Sequence, residues 1–534
     1  MTPSAGTTPG SDAIWPALHA VHHDLSDAHV LRLLAGEEHR ARDIISLERS
    51  ADLLLPASAD TSDPVAGPTD SSPTGSRQQA HDLTHWTQVR ATQQRPARQL
   101  PRSPCLTSFP DSLEARMGRR EFIALISMLM ALTALAIDMM LPAVGDLRAD
   151  FGLAADSNSV ALIVTVFFVG IGLGQLVWGP LADALGRKTI LYAGLLVYIV
   201  GAIGGALSPS LEFLLVSRFV AGLGAAGVRV ITMGAIRDRY KGDAMAKTLS
   251  YIMAVFILVP MIAPTLGSVV LAVGNWRWVF AFFGIAGAVL AAWSLRLPES
   301  LPPKRRIPLE VGKLAGAGRM VVTSRFTMGF TLAQTAIFGF FASYLATTQL
   351  IISDIYDLTD WFPFIFGGLA LCYGAATLVN PRLIDRLGLR RVLRFASAGL
   401  VLASFVFAAI AFLFGGRPPL GLYLVGIVSI LLMHAWTSPN LNSAAMIPMG
   451  RVAGTAAAVI GAATTLGGSL IGAGIDARYD GSITPMASAA VVVGLAAFAL
   501  TRWSDAVWER DAERESITPE EQSQAEAAAP LEVG

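Results

Sequence analysis

Gly179-Pro180-Leu181-Ala182-Asp183-Ala184-Leu185-Gly186-Arg187-Lys188 closes one long apolar run, and Pro381-Arg382-Leu383-Ile384-Asp385-Arg386-Leu387-Gly388-Leu389-Arg390 closes another. Asp183 and Asp385, Gly186 and Gly388, Lys188 and Arg390 stand in the same register, so the chain carries one turn twice. Working outward from both copies, apolar segments long enough to cross about 30 Å of hydrocarbon as helices follow one another with short connections. They fall at about 121–144, 160–182, 189–208, 211–235, 247–273, 277–296, 326–350, 362–381, 392–414, 420–446, 452–476 and 483–505. Each copy of the turn follows the second helix of its half. The fold class is therefore an all-α polytopic membrane protein with twelve transmembrane helices in two six-helix pseudo-repeats. Parallel halves around a central cavity are a common transporter plan.

The composition of the 534 residues agrees. Hydrophobic residues make up 53% and charged residues only 15%, where a water-facing surface needs roughly a quarter charged. Forty Lys and Arg balance forty Asp and Glu, which gives no support to nucleic-acid binding. The mean hydropathy is +0.53. Cys105 and Cys372 are far apart, which excludes a disulfide framework and a cysteine-ligated metal. With both ends of the chain in the cytoplasm, the inner segments collect roughly 24 Lys and Arg and the outer loops roughly four, Arg148, Arg277, Arg417 and Arg478. Trp276, Trp278 and Trp361 near outer ends, and Trp503 and Trp508 near an inner one, read either as interfacial belts or as packing.

The domain reading has five parts. Residues 1–116, rich in Ser, Thr, Pro and Arg, read as a disordered cytoplasmic extension; alternatively Met117, followed by Gly118-Arg119-Arg120, is the natural start. Seven of the eight histidines, His19, His22, His23, His29, His39, His81 and His85, lie in this part, but without flanking Cys they give no metal site. No charged segment followed by an apolar one begins the chain, so no secretory signal is expected. Residues 117–296 form the first six-helix half, 297–325 a cytoplasmic linker with Lys304-Arg305-Arg306 as an inside anchor, 326–505 the second half and 506–534 a disordered cytoplasmic tail.

At this point the residues resemble the major facilitator superfamily and, within it, the drug:proton antiporters of the Bcr/CflA type, over essentially everything after residue 116. Gly179 to Lys188 is similar to the superfamily's loop between helices 2 and 3, with Gly170-Ile171-Gly172-Leu173-Gly174-Gln175-Leu176 leading into it. Ala136-Ile137-Asp138-Met139-Met140-Leu141-Pro142 resembles the branch's helix 1. Arg218-Phe219-Val220-Ala221-Gly222-Leu223-Gly224 resembles the helix-4 motif, and Arg237-Asp238 its end. Pro260-Met261-Ile262-Ala263-Pro264-Thr265-Leu266-Gly267 resembles the helix-5 antiporter motif, with Trp276-Arg277 after it. Leu297-Pro298-Glu299-Ser300-Leu301-Pro302-Pro303 resembles the linker after helix 6. The resemblance implies a proton-coupled exporter in a bacterial inner or plasma membrane, with small molecules, protons and lipid as partners, a monomeric state, and no cofactor beyond the proton gradient.

Asp138 is the only carboxylate well inside the first six spans by this reading, and an acid in hydrocarbon is costly enough to read as functional. At 1.5 Å per residue it lies about 12 Å below the outer end of its helix, and Arg218 about 11 Å below the outer end of its own. Asp138 is then the proton carrier, exchanging a proton for a cationic or polar substrate, and Arg218 couples its occupancy to helix movement. The alternative is that both only cap or pair structurally. Asp183, Arg187 and Asp238, with Gly179, Gly186 and Lys188, form a conformational latch whose carboxylates meet the amino end of helix 11 near Val452 to Thr455; a solvated turn that only fixes topology is the alternative. Pro260, Pro264 and Gly267 permit a bend and close packing, which by resemblance accompanies export.

Arg229, eleven residues after Arg218 and so on nearly the same face, either lines the cavity or extends toward the cytoplasm. His434, the lone histidine of the membrane part, is a candidate proton relay or a packing residue. Gln334, Trp436, Ser438, Asn440 and Asn442 are candidate substrate contacts. No carboxylate pair, metal cluster or nucleophile with a base marks an enzyme, and no phosphate-binding glycine loop with Lys-Ser/Thr points to ATP. The competing reading within the same fold is a transporter of one metabolite, in either direction.

Overall fold

In hydrocarbon every backbone N–H and C=O must find its partner inside the protein, and a helix meets that demand within one segment. The computed structural model describes residues 117–154, 158–306 and 311–516, all within one of the chain's two units, Pro104–Gly534. Among these residues twelve helices are long and apolar enough to cross a membrane: Arg119–Asp150, Ser159–Leu185, Arg187–Ala206, Leu211–Arg239, Lys247–Val273, Trp276–Arg296, Arg325–Asp354, Thr359–Leu387, Leu389–Leu413, Leu420–Gly450, Ala453–Asp476 and Thr484–Val507. They are spans 1 to 12 below. The extension at 1–116, with its seven histidines, lies outside the described residues. The linker contains a helix, Val311–Thr323, and the last helix runs on to Ser516. The tail boundary expected at 506 therefore falls inside helix.

Several span starts carry the side-chain cap that their sequence suggests. Ser210 accepts from the Phe213 N–H, Asn275 from the Arg277 N–H and Ser324 from the Thr327 N–H. The repeated turn is a backbone device. Span 2 stops at Gly186, with φ 102° and ψ 151°, and span 8 at Gly388, with φ 80° and ψ 150°. Both lie in a region open to glycine alone, which is why this residue recurs in register in the two halves. The end of the bundle that holds these turns is also rich in Arg and Lys and is the basic end; the other is the far end.

Small residues set the helix spacing. A Cβ on Gly222 of span 4 would come within 2.2 Å of the Phe167 carbonyl oxygen in span 2, and one on Gly224 within 2.2 Å of the Tyr198 nitrogen in span 3. The two halves meet along two seams of the same kind. Span 2 lies on span 11, where a Cβ on Gly172 would meet Leu466 at 2.5 Å, and span 5 lies on span 8, where one on Gly374 would meet Ile257 at 2.1 Å. Polar links between the halves extend from the far end inward: Arg148 to Asp354 at 3.1 Å, the Asn158 amide to the Asp476 main-chain carbonyl, and the Gln175 amide to the Thr465 hydroxyl at 3.3 Å. Phe168 and Phe338 meet edge to face across the same seam, 5.3 Å between centroids. Trp276 is buried at 2% exposure, whereas Trp278 and Trp361 are about 60% exposed, so the belt reading suits the latter two and packing the first.

Gly186→Ala and Gly388→Ala are expected to lower the melting temperature of the purified protein in detergent, each through backbone strain of about 1–3 kcal/mol. Gly186→Ala is expected to cost more, because its methyl would come within 2.7 Å of both the Glu299 carboxylate and the Arg306 guanidinium, while the Gly388 position is open.

Candidate functional site

Span 1 is not one helix. Its first segment, Arg119–Asp138, ends at Asp138; Met139 and Met140 turn, and short helical pieces at Leu141–Ala143 and Val144–Asp150 complete the crossing. A continuing helix would need residue 142 to donate its N–H to the Asp138 carbonyl, and Pro142 has none. The first span is thus longer than the expected 121–144 and interrupted beside its one buried acid. Gly267 of span 5 fits against the interruption, where a Cβ would lie 2.1 Å from the Met139 carbonyl oxygen. Pro260 and Pro264 are accommodated inside a continuous helix, Gly242–Val273, and Ser268 donates to the Pro264 carbonyl at 3.2 Å.

Asp138 is 3% exposed. Among the described residues no hydrogen bond or ion pair reaches its carboxyl group, and the phenol of Tyr344 in span 7 interacts with it electrostatically. Ala124, Met128 and Leu135 lie on the same face of span 1 as Asp138, at spacings of four, seven and three, and remain open or half-open. Ala131, between them on that face, is buried, so these are separate openings along the span.

Arg218 comes to the same level, as the depth argument required, but it does not pair with Asp138. Its Nη2 donates to the Ala136 carbonyl at 3.0 Å and its Nε to the Ile163 carbonyl at 3.3 Å. The guanidinium carbon stands 4.1 Å from the Phe167 ring centroid and 5.8 Å from that of Phe280. One planar cation therefore ties spans 1, 2 and 4 together two residues before the interruption. Arg229 lies on the same face of span 4 and is exposed.

The second half divides the candidate contacts. Gln334 donates to Ser438 at 2.7 Å and keeps its carbonyl oxygen buried without a partner. His434 stacks on Phe341, centroids 4.8 Å apart, its Nδ1 is 3.4 Å from the Tyr373 hydroxyl, and its ring also reaches the Ile337 main chain. Trp436 is spent on the Ala376 carbonyl at 2.8 Å. Asn440 exchanges amide hydrogen bonds with Asn380 at 3.0 and 3.2 Å, so both bind span 10 to span 8. Asn442 is exposed.

At the basic end the latch residues are held within the first half. Arg187 pairs with Asp183 at 2.8 Å and with Asp238 at 3.2 Å, and Ser300 donates to Asp238 at 3.0 Å. Glu299 caps the start of span 3, accepting from the main-chain N–H groups of Arg187 and Lys188 at 3.0 and 3.1 Å. In this conformation these carboxylates serve their own half rather than the amino end of span 11, because Arg187 lies between them and neutralises both. Gly179 keeps a seam role, its Cβ position 3.8 Å from Ala458 of span 11. The Leu297–Pro302 stretch closes over a cavity of about 250 Å³ lined by Arg187, Asp238, Arg239 and Arg305.

Sequence reasoning missed Asp476, a second buried acid, 4% exposed, at the far end of span 11. Its signal is an acid closing the apolar run Gly472-Ala473-Gly474-Ile475, at the very end of the expected span 452–476. Tyr344 was also missed, because nothing in the sequence says which residues of span 7 approach span 1.

A family model described as Major Facilitator Superfamily matches residues 124–472. An uncharacterized MFS-type transporter, YdgK, of Bacillus subtilis is 29% identical over 71% of this chain and 94% of its own. A bicyclomycin resistance protein homolog of Haemophilus influenzae is 26% identical over 71% and 95%, and a chloramphenicol resistance protein of Pseudomonas aeruginosa is 30% identical over 66% and 81%. Among solved structures, a D-xylose-proton symporter superposes with a TM-score of 0.59 at 14% identity, covering 72% of this chain and 99% of that one. At that identity the likeness shows the fold alone. The relatives' names accord with the drug-resistance branch indicated by the sequence motifs.

Removing the Arg218 side chain leaves two buried carbonyls unpaired. Arg218→Ala is expected to destabilise the protein by about 1–3 kcal/mol for each, and Arg218→Lys, which lacks the planar fork, to recover only part of that. Thermal unfolding in detergent measures both.

Proposed function

The chain belongs to the Major Facilitator Superfamily, transporters rather than enzymes, and on that premise we propose that it is a proton-coupled exporter of small amphipathic compounds working by alternating access. The basic end faces the cytoplasm, with both chain ends on that side, in a bacterial inner membrane; the charge asymmetry supports this orientation. The observation that carries the reading is Asp138, a buried acid placed at a helix interruption, with no cation committed to it among the described residues. A carboxyl group there takes up a proton when it is closed off and releases it when water reaches it. A bound substrate and a proton then compete for one position, which is the minimal device for exchange.

Arg218 acts through the main chain. By holding the Ala136 and Ile163 carbonyls it fixes the segment that presents Asp138, so movement of span 4 is passed to the acid. The links between halves at the far end, together with the latch residues engaged within the first half at the basic end, support a conformation open toward the cytoplasm. Substrate enters from that side past Arg229. The gate closes when the two halves rock about the seams between spans 2 and 11 and between spans 5 and 8. No bound cofactor enters this cycle; its energy is the proton gradient.

The test is efflux and resistance in cells lacking their own pumps, across a panel of antibiotics and dyes. The parent protein is expected to export at least one compound, to stop when the proton gradient is collapsed, and to lose at least roughly tenfold of its transport as Asp138→Asn while still reaching the membrane. Equal export by parent and variant would move proton coupling away from Asp138. Export of nothing on the panel, with transport of a single metabolite found instead, would replace the drug-export reading.

A further inference from the structure

Asp476 closes span 11 at the far end and is 4% exposed. Its Oδ1 accepts from the Ser343 hydroxyl of span 7 at 2.5 Å, and its Oδ2 is buried with no partner. The main-chain carbonyl of the same residue accepts from the Asn158 amide at the start of span 2, in the other half. Among the described residues, the charged and titratable groups at the ends of spans 7 and 11 and in the turn after span 11 are engaged with other groups. Arg148, from the first half, is paired with Asp354 at the end of span 7, and Tyr479 donates to that same carboxylate at 3.4 Å. Arg478 turns back onto the Gly474 carbonyl at 2.5 Å, and Asp480 accepts from the Ser482 N–H. Burial, and then the Asp354 charge, hold the Tyr479 phenol well above its ordinary range, so it keeps its proton. Asp476 is therefore left as a buried acid at the junction of the halves, with half of its carboxyl group unserved.

A carboxylate in that position is an uncompensated charge, whereas a carboxylic acid is tolerated. It stands beside the far-end closure, because its main-chain carbonyl is held by Asn158 and the adjacent Asp354 by Arg148, both of the opposite half. Its hydroxyl partner, Ser343, is the neighbour in sequence of Tyr344, whose phenol interacts electrostatically with Asp138.

We propose that Asp476 is a second proton-binding site, in the second half, which must be protonated for the far end to close and which releases its proton when that end opens. This deepens the proton-coupled reading, but it is tested by conformation rather than by transport, so the two fail separately. As pH rises the acid ionises, the closed far end loses its favoured form, and the open form gains.

Spin labels at Ala149→Cys and Gly421→Cys, one in each half at the far end, placed in the full chain lacking Cys105 and Cys372 and reconstituted in lipid nanodiscs, report the separation across that end by pulsed electron resonance. Both sites are exposed. The separation is expected to lengthen between pH 5.5 and 8.5 in the parent, to stay short throughout in Asp476→Asn, and still to lengthen in Asp138→Asn. Ser343→Ala removes the donor that favours the ionised form and is expected to move the transition to higher pH, which keeps the test sound even where Asp476→Asn assembles poorly. No dependence on pH in the parent, or the parent's response surviving unchanged in Asp476→Asn, overturns the proposal; so does a response lost in Asp138→Asn but kept in Asp476→Asn.

Discussion

A guanidinium shared between two main-chain carbonyls and an aromatic face is the interaction on which the first half depends. Arg218 is 2% exposed in a stretch that reads as continuous hydrocarbon, and a cation there survives only if its donors are used. It draws donors' partners from Ala136 and Ile163, carbonyls on two other spans, and in doing so sets where those spans lie. Gly222 of span 4 serves the same arrangement, since close approach to span 2 is what brings the Ile163 carbonyl within reach. Span 1 is interrupted immediately beyond, and Asp138 sits at the point where the bundle's regular hydrogen bonding lapses.

The halves share a topology but not a charge distribution. The first half commits one intramembrane cation, Arg218, to the main chain, while the second buries polar groups in pairs, as with Asn380 and Asn440, or, among the described residues, leaves an atom without a hydrogen bond, as with Gln334 and Asp476. The repeated turn shows the same divergence. Gly186 and Gly388 keep one backbone conformation, yet Arg187 bridges two carboxylates where Leu389 of the second copy has no charge to offer.

Most of the architecture was legible because hydrophobic length and turn chemistry are local properties. The span Lys247–Val273 falls on its expected bounds, and Gly388 ends a helix where the repeat required it. The interruption of span 1 was within reach too, since Pro142 and its missing donor are in the sequence, but the apolar run reads on through it. The site was legible in identity and not in contact. Asp138 and Arg218 share a level, which rise per residue can give, whereas the partners of Arg218 are carbonyls, which have no signature in side-chain sequence. The assignment of Asn440 and Trp436 to span 8 rather than to an open cavity likewise depends on helix rotation about its axis, which a chain that is apolar on most faces does not reveal. Asp476 is the opposite case, an acid plain in the sequence at the end of a span, whose burial depends on packing that the sequence does not show.

The interruption at Asp138 divides span 1 into two short rods with separate anchors. The lower rod is fastened to span 4 through Arg218. The upper rod is fastened at Asp150 by Trp276 and Arg277, at 3.0 and 2.9 Å, and through Arg148 to the second half. The joint between the two rods is itself tightly packed, with Met139, Met140 and Leu141 fully buried. In the alternating-access cycle proposed above, a tilt of one half against the other would load span 1 at this joint, beside its one buried carboxyl group.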